Sequence, residues 1–412
     1  MPSGAEVLER WPSNQNDPDS ATPASSAAAS ETAETAIAGR GRLVAAMRRL
    51  RWAFAVYAAS RLVYLVLALV DTRIHTWSLG GELANWDGLW YLSVAAHGYG
   101  THVSHIQSNL GFFPLYPLAM WLVAHLLSSS LLLAGVLVST IGGFVATVLI
   151  QRLSAGWWGE EAGRRVVLFF CLFPGSIVFS MVYAEGMLIA LVAGCLLALD
   201  RRRWVLAGLL AGLATGVGPQ AFAIIPACAL AAALEIRRRG WRDPQARRAL
   251  AAPVLAPLGA VAFGAFLWAR TGSPFAGFTA QRYGWDERTD PLALLHQGTQ
   301  LAHQITHSQH INLNDVAGLL GAVFLLIALV QLITTRPRVS PAAFVWVLGM
   351  GFLTVTSENV PPNPRMLIAA FPALAVVAYR LRGRAFNWLI AGSTVLLVAM
   401  SLMSFVGIEL RP

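Results

Sequence analysis

Apolar runs alternate with short polar stretches from residue 52 to residue 407. A bilayer core takes roughly 20 helical residues to cross. The runs at 52–70, 131–150, 250–268, 315–333 and 386–407 reach about that length. Shorter runs at 166–182, 184–199, 204–217, 219–234, 341–356 and 365–380 bring the expected total to about 11 spans. The stretch 112–127 is also apolar, but Pro114 and Pro117 interrupt it. It reads as a partly re-entrant helix on one face, because a full crossing there would reverse the side on which the later arginines lie. The pattern predicts an all-α, polytopic transmembrane protein. Residues 1–39 differ: they are rich in Ala, Ser, Thr, Pro and Glu without apolar periodicity, and read as a disordered cytoplasmic tail. The first apolar run comes too late for a cleavable signal peptide. One transmembrane domain, 40–412, then carries two outer loops, 71–130 and 270–313.

Charge supports this pattern and gives it a direction. The chain is 56% hydrophobic and 12% charged, about half the charge of a soluble domain. An isoelectric point near 10.2 would suit nucleic acid, but the arginines are not spread over a face. Arg40, Arg42, Arg48, Arg49 and Arg51 precede the first run; Arg152, Arg164 and Arg165, then Arg201–Arg203 and Arg237–Arg239, fill alternate loops. That is the positive-inside pattern, so no nucleic-acid partner is expected. It places the N-terminus in the cytoplasm and the C-terminus outside, in a multi-pass cell-membrane protein with membrane lipid around it. Cys171, Cys195 and Cys228 all fall in apolar runs and read as small packing residues.

With this topology the unusual polar residues share the outer face. Asp87 lies in Asn85-Trp86-Asp87-Gly88-Leu89-Trp90-Tyr91, with Tyr99 following. A carboxylate at a membrane face suggests function, and the surrounding aromatic rings favour headgroup depth. Two roles fit Asp87: a general base, or an N-cap for the helix that follows. Glu185, after Tyr183 at a tight hairpin, fits a site or a helix start. Arg365 follows Pro361-Pro362-Asn363-Pro364 at the outer start of a run, where a cation opposes the helix dipole and calls for an anionic partner. Its fork suits phosphate; a snorkelling side chain is the structural alternative. Gln281, Arg282 and Trp285 in the 270–313 loop mix amide, cation and ring, a mixture that suits sugars. His303 and His307 stand at i, i+4, but without an H-E-x-x-H pattern neither a metal nor a cofactor is expected.

These residues carry a resemblance. Trp86-Asp87, Tyr91, Ala95, and His97-Gly98-Tyr99 are similar to the W-D-x-x-x-Y-x-x-x-A-x-x-G-Y signature of the GPI mannosyltransferase II (PIG-V) family, bacterial relatives included. Phe112-Phe113-Pro114-Leu115-Tyr116-Pro117 resembles its F-F-P-L-Y-P block. Phe173-Pro174-Gly175-Ser176 with Tyr183-Ala184-Glu185 resembles its P-x-S and Y-x-E block. Gly272-Ser273-Pro274 with Gln281 and Trp285, and Pro364-Arg365 with Phe371-Pro372, follow in family order. The resemblance spans roughly residues 50–380 and implies the GT-C glycosyltransferase architecture. It implies mannose transfer from a polyprenyl-phosphate-mannose donor to a lipid-linked, glycan or protein acceptor outside the membrane, with inversion. Asp87 is then the expected base, and Arg365 steadies the lipid phosphate. Glu185 positions the acceptor or an active-site residue, and Trp86, Tyr91, His97, Tyr116, Tyr183, Gln281, Arg282 and Trp285 contribute to substrate binding. One departure stands out: Gly216-Val217-Gly218-Pro219-Gln220 lacks the Arg of a T-R-P-x-G-like turn, leaving Arg270 or Arg282 to supply that cation. A lipid-linked-sugar transporter or flippase, or an inactive membrane scaffold, is the competing class. The one-sided polar residues and the lack of a convincing internal repeat speak against the transporter.

Overall fold

The computed structural model describes the backbone of residues 23–74, 78–102, 106–307 and 310–405, with side chains from residue 47 to 403. The tail expected over 1–39 lies outside the described residues up to position 22. The helix Pro23–Ile74 takes in the rest of it, an alanine-rich stretch of high helix propensity. The side chains of Arg40, Arg42 and Arg48's more distant N-terminal neighbours before residue 47 also lie outside the described residues.

The architecture is helical throughout, and the isolated bridge between Thr289 and Ser357 is the β pairing found among the described residues. Six helices there are long and apolar enough to cross a membrane: Met47–Ile74, Leu131–Trp158, Pro219–Arg239, Pro244–Thr271, Leu313–Thr334 and Gly383–Met403. The helices Glu160–Leu172 and Pro174–Ser180 make a seventh span if their 74° bend is counted within one crossing. Four shorter apolar helices, Leu115–Leu126, Trp204–Thr215, Pro341–Val355 and Phe371–Arg380, accompany them.

Three elements differ from the linear pattern. The run 166–182 is not straight, because Pro174 has no N–H to continue the ladder and the chain tightens into a 3₁₀ turn over Pro174–Ser180. The run 250–268 is part of a longer helical stretch that is interrupted near Leu250 and Pro257. The 270–313 loop is partly helical, with Ala293–Thr306 its longest element. That helix turns Gln297 and Gln304 inward, whereas Leu295 and Ile305 face outward.

The centre of the fold is a close crossing of Leu131–Trp158 with Glu185–Asp200. A methyl group on Gly186 would fall 2.4 Å from the Ser139 carbonyl oxygen, so only a small residue lets the two backbones approach this closely. The crossing fixes the first turn of the second helix, and with it Glu185.

Candidate active site

The site begins with a turn. The Gly88 N–H donates to the Asn85 carbonyl at 3.2 Å, and the Asn85 side chain accepts from the Trp86 N–H at 2.9 Å. Trp86 sits at φ 56°, ψ −119°, the first central position of a type II′ turn, which glycine normally fills. Holding a tryptophan there costs about 1–3 kcal/mol. The strain lies one residue before Asp87, which opens the helix Asp87–His97. Asp87 is therefore the first helical residue, while Trp86 occupies the cap position.

The Asp87 carboxylate points at Arg365 instead. Its Oδ2 lies 2.6 Å from Arg365 Nη2. Arg365 Nε donates to Glu185 Oε1, also at 2.6 Å, and the guanidinium carbon lies 4.8 Å from the centre of the Tyr183 ring. The anionic partner required by a cation at a helix start is thus a pair of carboxylates. Asn363 caps that helix by accepting from the Met366 N–H at 2.9 Å, and Pro364 takes the first helical position, where its missing N–H is harmless. The three side chains differ in access. Glu185 is 3% exposed, Arg365 15% and Asp87 26%, so Asp87 is the group best placed to meet a substrate.

Asp87 and Arg365 border a cavity of about 1410 Å³. Trp86, Asp87, Tyr91, Tyr183 and Arg365 line one side, and Gln281, Arg282 and Trp285 approach from the 270–313 segment. The aromatic groups form a continuous wall. Trp285 lies 5.1 Å from Trp90 and 5.7 Å from Phe112 between ring centres, and its indole N–H donates to the Ser108 carbonyl at 3.2 Å. Gln281 reaches the Gly111 carbonyl at 3.4 Å. The motifs at 86–91, 112–116 and 281–285 are therefore neighbours in space. Gln220 of the arginine-free turn also lines the cavity, and so does Arg282, one of the two arginines expected to supply the missing cation. Arg270 instead donates to the Tyr99 carbonyl at 3.2 Å.

Two expected substrate contacts are placed elsewhere. Tyr116 is fully buried, with its hydroxyl 3.0 Å from the Gly135 carbonyl and 2.8 Å from Ser139 Oγ. It packs behind Tyr91, ring centres 4.8 Å apart, and so supports the wall rather than lining it. His97 is exposed at the far end of the Asp87–His97 helix, about 15 Å along the axis from Asp87. Glu185 lies behind Arg365 and touches the cavity through it.

A further set of polar lining residues went unnoticed in the sequence: Glu287, Gln297, Asn312, Asn314 and Asp315. Burial pushes the Glu287 carboxyl above its ordinary value; a hydrogen bond from Ser357 opposes this and nearby Glu358 adds to it. The available signal was the polar run Asn312-Leu313-Asn314-Asp315 just before an apolar helix, where Asn312 acts as N-cap. Among the described residues no group of three or more His, Cys, Asp or Glu is arranged to hold a metal. His303 and His307 stack at 4.0 Å between ring centres and are exposed.

Fold and site together describe a polytopic helical membrane protein in which Asp87 and Arg365 meet at the edge of one cavity. The chain resembles ArnT from Cupriavidus metallidurans bound to undecaprenyl phosphate, with a TM-score of 0.52 at 17% identity over 85% of this chain and 65% of that one. The apo oligosaccharyltransferase of Archaeoglobus fulgidus matches with a TM-score of 0.52 at 14% identity, over 85% of this chain and 56% of the other. At these identities the likeness is one of fold. Over residues 59–234 the chain is PIG-V-like, matching the family model described as mannosyltransferase (PIG-V). GPI alpha-1,6-mannosyltransferase 2 of Cricetulus griseus is 31% identical over 147 residues, 33% of this chain and 29% of that protein. The Rattus norvegicus protein of the same name is 30% identical over 152 residues, 34% and 30% of the two chains. The match thus spans about three tenths of the length of these curated relatives. Asp87, Tyr183 and Glu185 fall within the matched segment; Gln281, Arg282, Trp285 and Arg365 lie beyond it.

Proposed function

We propose that this chain is a membrane mannosyltransferase that moves mannose from a polyprenyl-phosphate donor to an acceptor hydroxyl on the extracytoplasmic side, with inversion. The observation that carries the reading is the Asp87–Arg365–Glu185 arrangement at an aromatic-walled cavity. Asp87 takes the acceptor's proton as the acceptor oxygen attacks C1. The new bond joins that oxygen to C1, the bond from C1 to the phosphate oxygen breaks, and the lipid phosphate departs as an anion. Arg365 stabilises that leaving charge. Of the five N–H donors of its guanidinium, the bonds to Glu185 and Asp87 take two. Glu185 holds the cation when Asp87 turns to the acceptor. The curated relatives are mannosyltransferases by name, and the ArnT structure holds a polyprenyl phosphate; both support the choice of donor. The acceptor is a glycolipid, glycan or protein outside the membrane. The arginine-loaded alternate loops support this orientation.

The test is transfer by purified protein in lipid nanodiscs, supplied with polyprenyl-phosphate-mannose and, separately, lipid-linked, glycan and peptide acceptors. The expected product carries mannose with the anomeric configuration opposite to that of the donor. No transfer to any acceptor class, under conditions where the protein remains folded, rejects the reading.

A further inference from the structure

A second arginine, Arg61, does not line the cavity. Arg61 stands at the middle of Met47–Ile74, an apolar stretch of 28 residues, where a cation is costly unless it is well coordinated. Its Nη1 donates to the Ser176 carbonyl and to Ser180 Oγ, the latter at 3.0 Å. Its Nη2 donates to Ser176 Oγ at 2.9 Å and to the Cys171 carbonyl at 3.4 Å. The rings of Tyr57 and Phe179 flank the guanidinium at 5.3 and 5.7 Å. The oxygens it holds belong to the 74° break between Glu160–Leu172 and Pro174–Ser180. A break exposes carbonyls that the helix no longer satisfies, and within a bilayer water is not there to replace those bonds. The planar fork of an arginine serves several such oxygens at once.

The segment over and after the break packs against or leads into the backbone that carries each of the three charged groups. Gly175 backs the start of the Arg365 helix so closely that a methyl on it would fall 2.0 Å from the Pro364 carbonyl oxygen and 3.0 Å from the Arg365 nitrogen. Val182 donates its N–H to the Leu83 carbonyl at 2.8 Å. Its own carbonyl oxygen would lie 3.3 Å from a methyl on Gly88, next to Asp87. Glu185 begins the helix that the same segment leads into.

We propose that Arg61 is a positioning residue of the transferase site: by fixing the Pro174–Ser180 break it sets the spacing of Asp87, Arg365 and Glu185. It touches none of the three and acts through the backbone it holds. Lysine offers one ammonium in place of the fork and only partly replaces it, whereas methionine keeps much of the bulk and none of the donors.

The experiment compares Arg61→Met, Arg61→Lys and the parent in nanodiscs by two readouts. Hydrogen exchange without substrate asks whether segments 174–185, 87–90 and 364–369 loosen together. The kinetic readout, which rests on the transferase reading, asks how kcat and the donor KM change. Arg61→Met is expected to speed exchange in those three segments while the 258–271 helix, which packs on Trp204–Thr215, keeps its protection. It is expected to lower kcat by about 10- to 100-fold, the effect of displacing reacting groups by about 1 Å, with donor KM changed less than kcat. Arg61→Lys falls between it and the parent. If Arg61→Met does not fold, the lysine variant alone decides by the same two readouts. Unchanged exchange at 87–90 and 364–369 overturns the proposal, as does parental kcat in a variant whose break has loosened. A parent without transfer activity counts against the transferase reading, and the exchange data then decide whether Arg61 sets the site's geometry.

Discussion

Arg61 and Arg365 are both partly buried among helices, yet they are satisfied in opposite ways. Arg61 donates to neutral carbonyl and hydroxyl oxygens of a broken helix. Arg365 is clasped by two carboxylates at 2.6 Å each. Neutral partners leave a net cation whose task ends with the backbone it ties. Two carboxylates around one guanidinium leave a site with an acid to spare, so one of them can turn to a substrate while the other holds the arginine. On the proposed reading, local charge separates a positioning arginine from one that meets the substrate, although both lie among apolar helices.

The sharpest way to break the comparison is Asp87→Asn. Asparagine is nearly isosteric and keeps hydrogen-bonding capacity towards Arg365, but it does not take up the acceptor's proton. Transfer should fall by about 10²–10⁴-fold with folding and insertion intact. Transfer within about twofold of the parent would remove Asp87 as the base.

Next comes Arg365→Lys. An ammonium is a point charge without the fork that meets Asp87 and Glu185 together. Steady-state kinetics should show kcat/KM for the donor reduced by about 10- to 100-fold, a loss of about 1.4–2.7 kcal/mol of transition-state binding. Unchanged donor kinetics would place the lipid phosphate elsewhere.

A smaller effect is expected at Glu287. The Glu287 carboxyl is raised in the folded protein because burial disfavours its charge. Its neutral form is favoured by folding, so its contribution is fully present below the unfolded value and is lost as pH rises through the folded one. Glu287→Gln should therefore raise Tm at pH 7 relative to the parent and leave it nearly unchanged at pH 4. Thermal melts at the two pH values check this, and an equal shift at both would point to packing instead.

The smallest change separates support from contact. Tyr116→Phe removes a buried hydroxyl that bonds Gly135 and Ser139, a loss of about 0.5–1.5 kcal/mol in stability, with both substrate KM values unchanged. A raised KM in this variant would return Tyr116 to the substrate site.

The membrane class was legible without coordinates, since the length of an apolar run and the spacing of arginines answer directly to bilayer thickness and charge. The aromatic and acidic character of the 86–91 segment was legible too, because few residue types suit headgroup depth. What stayed hidden depended on partners far apart in sequence. Arg365 and Asp87 are separated by most of the chain, and no local period announces their ion pair. Tyr116 read as a contact because its motif is short and aromatic; only the packing of Leu131–Trp158 against it shows the hydroxyl spent on Gly135 and Ser139. His97 shares a motif with Asp87, but the helical rise carries it to the other end of the element. Arg61 shows the limit most clearly. Its sequence neighbours are apolar, and its purpose lies in carbonyls more than a hundred residues away, exposed by a bend that a linear reading of 166–182 takes for a straight span. Apolar length and charge are properties of a segment, so the sequence by itself determined them. Which oxygen meets which guanidinium is a property of the packed chain, and only the tertiary structure decided it.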